Sequence, residues 1–107
     1  MTENIDDISA YIRNAVQTEI VHAFTDFNDD VTRERVSNVL NNDFAQFNTT
    51  HHIMVVCDKS NNPPSVIDES NFIIDVYFKE NDSPTYNHIR GTAIPPVVNE
   101  HKEVAVN

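Results

Sequence analysis

Apolar positions in the first part of the chain recur at helical spacing. Ile5, Ile8, Ile12, Ala15, Val16, Ile20, Ala23 and Phe24 fall on one face of an amphipathic helix and predict a helix over residues 4–24. Asn4 or Thr2 is suited to cap it, and Asp6 and Asp7 suit the positive end of its dipole. The same spacing resumes with Val31, Val36, Val39, Leu40, Phe44 and Phe47, behind a cap candidate in Phe27-Asn28-Asp29-Asp30. A second helix is therefore predicted over roughly 29–46, ended by Asn48-Thr49-Thr50.

Beyond residue 50 the pattern becomes that of strands. His52-Ile-Met-Val-Val-Cys57 is short and rich in β-branched residues, which predicts a well-buried strand over 52–57. Lys59-Ser60-Asn61-Asn62-Pro63-Pro64 is a loop, with Val66-Ile67-Asp68 expected to close it against the core. Phe72, Ile74, Val76 and Phe78 alternate with Ile73, Asp75, Tyr77 and Lys79, so a strand over 72–79 places four large apolar groups on one face. After a turn at 80–84, residues 86–94 return as a third strand, whose Asn87, His88 and Arg90 suggest a sheet edge. The fold class these elements imply is α+β: two amphipathic helices packed on one face of a small three- to four-stranded sheet. Residues 1–94 form that domain, and 95–107, which follow Pro95-Pro96, form an extended C-terminal arm too short and polar to bury itself.

Composition supports one globular domain, with 39% hydrophobic and 22% charged residues, six Phe and three Tyr. The formal charge of −10 disfavours nucleic acid and anionic membranes, both of which need clustered Lys and Arg, and favours solubility and a basic protein partner. Cys57 is the only cysteine, so no internal disulfide can form and a reducing compartment is the simplest setting. The N-terminus has neither the basic start nor the apolar run of a secretion signal, and no stretch approaches the roughly 20 apolar residues of a membrane span.

Candidate chemistry changes this picture little. His51 and His52 are neighbours in a predicted strand and point to opposite faces, so they are poorly placed to share a metal ion with Cys57 and Asp58. Cys57 ends an apolar strand and is followed by Asp58, which disfavours a thiolate. Asp58 and Asp68 flank the Asn-Pro loop and are placed to brace its backbone amides, and nothing in their spacing with Asp75 requires an acid/base pair. Asp26, Asp29 and Asp30 suit helix capping and solvation. The single glycine, Gly91, rules out a glycine-rich phosphate loop. No cofactor, metal site or catalytic residue is expected.

One stretch carries a more specific signal. Val55-Val56-Cys57-Asp58-Lys59-Ser60-Asn61-Asn62-Pro63-Pro64-Ser65-Val66-Ile67-Asp68, followed by Phe72-Ile73-Ile74-Asp75-Val76-Tyr77-Phe78-Lys79, resembles the C-terminal domain of contractile phage tail sheath proteins. That family shows a valine-rich strand ending in Cys-Asp, an Asn-Asn-Thr-Pro loop, a Val-Ile-Asp step and a strand ending in Ile-Tyr-x-Lys. The residues that match are Cys57, Asp58, Asn62, Pro63, Ile67, Asp68, Tyr77 and Lys79. Phe27-Asn28-Asp29-Asp30 is similar to the family's Phe-x-Asn-Asp segment, and the resemblance then covers roughly residues 10–94.

The resemblance implies a structural virion protein of a bacteriophage contractile tail, lining the sheath against the tail tube, with arms of neighbouring subunits completing each small sheet by strand addition. On this chain the arm of that exchange would carry Val97, Val98, Val104 and Val106. The implied partners are copies of the chain or sheath subunits and tail tube, baseplate or neck proteins. The implied location is the virion tail, and the host cytoplasm during assembly. The chain departs from the family in length, since outer domains and an N-terminal arm are missing, and Met1 directly before the first helix suggests a single-domain version. Its third strand is more polar than the family's, and Glu80-Asn81 stands where a proline often follows the lysine. The alternative expectation is an acidic cytoplasmic adaptor or regulatory protein that binds a basic partner through Asp26, Asp29 and Asp30.

Overall fold

The structure, a computed structural model, describes residues 5–23, 28–68, 71–94 and 103–106, with backbone alone for residues 5, 6, 94 and 103–106. Helix α1, Ile5–Ala23, follows the predicted stripe: Ile8, Ile12, Val16 and Ile20 are fully buried, and Ala23 nearly so. Burying one such isoleucine stabilises the fold by roughly 1.5–3 kcal/mol, so this stripe anchors the helix layer. Thr2, Asn4 and Phe24, also named from the sequence, lie outside the described residues.

Helix α2, Asp30–Phe44, starts where Asp29 leaves the helical conformation and its carboxylate accepts the Thr32 N–H at 2.8 Å. That hydrogen bond holds the Asp29 carboxyl below the ordinary carboxylate range. Its buried face is Arg33, Val36, Leu40 and Phe44, and a 3₁₀ turn, Ala45–Phe47, carries Phe47 into the same core. Two residues of the predicted stripe are not in it: Val31 is 78% exposed and Val39 is 37% exposed. Arg33 takes the inner position that the apolar spacing had given to Val31, because its guanidinium finds acceptors in Asn28 and Asp30.

Strand β1, His51–Val56, leads through the 57–63 loop to a short helix α3, Pro64–Asp68. Strands β2, Phe72–Glu80, β3, Asn87–Ile94, and β4, Glu103–Val106, follow. All pairings are antiparallel, in the spatial order β1-β2-β3-β4. On β2 the predicted alternation holds, with Phe72, Ile74, Val76 and Phe78 buried beneath the helices. Ile89 and Ala93 extend that floor on β3. Between them Gly91 is covered by α1 so closely that a Cβ there would lie 2.5 Å from Val16 Cγ1 and 2.8 Å from Ile20 Cγ1.

The sheet order corrects two expectations. β1 is an edge strand, with His52 and Met54 exposed and Ile53, Val55 and Val56 only half-buried, where a well-buried strand was expected. β3 is an interior strand, where an edge was expected, because β4 pairs along its second side. Val66 and Ile67 are half-buried on α3 and close the loop less completely than their apolar character suggested. Among the described residues no helix is long and apolar enough to cross a membrane.

Candidate assembly surface

The loop that follows β1 is held by the side chains of Asp58, Asn61 and Asn62. Asp58 accepts the Ser60 N–H at 2.8 Å and the Ser60 hydroxyl, which holds its carboxyl below the ordinary range. Asn61 accepts the Asp58 N–H at 3.0 Å and donates to Val56 O at 2.7 Å, closing the loop on the strand it leaves. Asn62 is fully buried and goes further. Its Nδ2 donates to Ile73 O at 2.9 Å while its Oδ1 accepts the Ile73 N–H at 2.9 Å. The carboxamide thus reproduces the paired bonds of an antiparallel partner and satisfies β2 where β1 has ended. Asn28 donates to Asn62 Oδ1 at 2.9 Å and to Asn71 O at 2.8 Å, and in turn accepts from Arg33. The start of α2, the loop and the edge of β2 are therefore one hydrogen-bonded unit.

The unit continues onto the sheet face turned away from the helices. Asp75 is 1% exposed, and Arg90 grips it bidentately, Nε to Oδ1 at 2.7 Å and Nη2 to Oδ2 at 3.1 Å. His88 Nε2 lies 2.6 Å from Oδ1 and must donate, since an ionised carboxylate only accepts; Asn61 Nδ2 donates to Oδ2 at 3.0 Å. Burial pushes the Asp75 carboxyl up, but the hydrogen bonds from Arg90, Asn61 and His88 outweigh it, leaving the group below its ordinary range. The same pairing raises Arg90. The His88 ring stacks on Tyr77 with centroids 4.5 Å apart and planes 8° from parallel. Met54 stands opposite Tyr77 on β1 and is half-exposed. At the far end Lys79 donates to Ser83 O at 2.9 Å and sits 5.4 Å over the Tyr86 ring.

The residues singled out by resemblance divide into three groups. Cys57, Asp58, Asn62 and Pro63 come together in the loop, where Pro63 O accepts from the N–H groups of Val66 and Ile67 and starts α3. Tyr77 and Lys79 lie along the outer sheet face, whereas Ile67 is half-buried and Asp68 exposed on α3, away from that stack. Of the arm, Val97 and Val98 lie outside the described residues, and Val104 and Val106 occupy β4 in register with Ala93 and Gly91. Burial drives the Cys57 thiol up to about 12. The Asp75–Arg90–His88 cluster was missed. Folding β2 and β3 about the Asp82–Ser83 turn sets Asp75 against Arg90, a signal the sequence held. Among the described residues no group of three His, Cys, Asp or Glu side chains converges as metal ligands would.

The outer sheet face thus brings together Met54, Tyr77, His88 and Arg90, between the edge strand β1 and the terminal strand β4. Tyr, Met and Arg are the side chains enriched in protein interfaces. Comparison with protein-family models, with curated proteins and with solved structures finds no match for this chain.

Proposed function

We propose that this chain is a structural protein of a contractile phage tail, a minimal sheath subunit or sheath-like adaptor that assembles around the tail tube by exchanging its C-terminal strand with neighbouring copies. The observation that carries the reading is β4. It pairs along the edge of β3 through backbone hydrogen bonds, after residues 95–102 have intervened since Ile94. Such a strand is held by contacts that an identical copy supplies equally well, and the intervening residues span up to roughly 25 Å when extended, enough to reach a neighbour. The Cys-Asp, Asn-Asn-Pro and Val-Ile-Asp sequence supports the same reading through its resemblance to sheath C-terminal domains.

An acidic adaptor that docks a basic partner through Asp26, Asp29 and Asp30 is less well supported. Asp29 is engaged as the cap of α2 and Asp30 as the partner of Arg33, which gives both a local purpose.

Cryo-electron microscopy of the full chain and of a chain ending at Ile94, each alone and mixed with tail tube or baseplate components, tests the proposal. Rings or tubes formed by the full chain alone are expected. An unassembled subunit in every mixture, or equal assembly by the shortened chain, would overturn it.

A further inference from the structure

Two exposed patches on opposite sides of the molecule take no part in the strand pairing. On α2, Val31, Glu34, Arg35, Asn38 and Val39 line a shallow groove on the side of the helix opposite its buried face. Val31 and Val39 are two of the chain's exposed large hydrophobic residues, and Glu34 places negative charge between them. Arg35 lies 3.8 Å from the buried Glu19, so its charge is offset from within the subunit. Asp30, one residue before Val31, is paired with Arg33, which leaves Glu34 as the acid of the groove.

The outer face of the sheet is its counterpart in shape and in charge. Met54 is 50% exposed and Tyr86 48%, with Tyr77 half-buried between them, giving apolar groups that stand out of the face. The charged residues at the outward positions of β1, β2 and β3 are Lys79, Arg90 and Asp75, and Asp75 is buried beneath Arg90. With Arg90 paired to Asp75, Lys79 is the cation this face offers to a second copy, in a chain of formal charge −10.

From these two patches we infer that copies of this chain stack head to tail, the outer sheet face of one seated on the α2 groove of the next, with Met54 and Tyr77 against Val31 and Val39 and Lys79 toward Glu34. The contact is heterologous: a stack of any length keeps one unused sheet face and one unused groove at its ends, so stacking continues until a ring closes or a filament grows. It engages neither β4 nor the edge of β3, and so stands apart from strand exchange.

The test uses two full-length variants, Val31→Glu, which puts an acid into the groove, and Met54→Glu, which puts an acid onto the sheet face, so that the two altered faces also repel each other. Val31 is exposed enough for the first to fold unchanged, and far-UV circular dichroism checks both. In sedimentation velocity, wild type is expected to grow in mass with concentration, and each variant alone to associate at least tenfold more weakly. An equimolar mixture is expected to regain near wild-type affinity but stop at two chains, through the one intact pair of faces. Wild type that stays monomeric, or a mixture that gains nothing, overturns the proposal. So does either variant associating like wild type, since strand exchange alone would leave both unaffected.

Discussion

Asn62 and Asp75 show how single polar side chains hold this fold where backbone pairing stops. Asn62 gives Ile73 a donor and an acceptor at once, so an alanine there strands the Ile73 N–H and C=O and takes one acceptor from the Asn28 amide, which keeps Asn71 O. Unsatisfied buried groups cost about 1–3 kcal/mol each, and partial hydration of the vacated space offsets some of that. Asn62→Ala is expected to lower stability by about 2–4 kcal/mol in urea titration, and Asn62→Asp by a similar amount, since a carboxylate faces Ile73 O and Asp58 O with no proton to give. Asp75 acts through charge. Its carboxyl titrates below the ordinary value of about 3.9 in the folded state. Its stabilising effect is therefore complete above that value and is lost as pH falls through it toward the folded pKa. Urea titrations from about pH 6 down to about pH 2 should show Asp75→Asn less stable than wild type at the upper end, with the gap narrowing as the wild-type carboxylate is protonated. A gap that stays constant across the range would mean that the charge of Asp75 contributes nothing.

Among the elements, α1 and β2 were the most legible, because the burial of each follows from its own period: Ile8, Ile12, Val16 and Ile20 on one, Phe72, Ile74, Val76 and Phe78 on the other. β1 and β3 were misjudged for a shared reason. Whether a strand lies at an edge depends on what pairs beside it. The polar His88 and Arg90 that made β3 look peripheral are there to meet Asp75 on the outer face, while β4 occupies its flank. Asn62 was legible as a loop residue, yet its use as a stand-in strand depends on Ile73, eleven positions on, being left without a β1 partner. The close seating of α1 on β3 was equally hidden, although the chain's one glycine marks the spot. Gly91→Ala should push Val16 and Ile20 outward and cost about 1–3 kcal/mol, the usual cost of overpacking a core. Gly91→Val should cost more, and Thr92→Val, at the neighbouring outward position, much less; thermal unfolding of the three variants ranks them.

For the whole molecule, the consequence lies in how β4, a four-residue strand paired with β3, is tied to the rest. Among the described side chains, the buried core comes from α1, α2, the turn after it, Cys57, β2 and β3, with Ile53 and Val55 of β1 packed against it. A four-residue strand adds few hydrogen bonds, and it holds its place in the isolated subunit through the effective concentration that a short tether supplies, on the order of millimolar. In the assembly proposed above, neighbours would present donor strands at a comparable concentration. In that assembly the balance between pairing within a subunit and pairing between subunits would be set by geometry and crowding, with little change in the contacts themselves. A chain ending at Ile94 should accordingly stay folded, with near wild-type circular dichroism and a modest loss of stability, while amides of β3 that pair with β4 exchange with solvent much faster. A synthetic peptide of residues 95–107 added at about millimolar concentration should restore their protection, since it supplies in trans what the tether supplies in cis. Global unfolding of the shortened chain would place β4 in the core instead. Protection that the peptide never restores would mean that β4 depends on its covalent tether, and a strand of that kind does not pass from one subunit to the next.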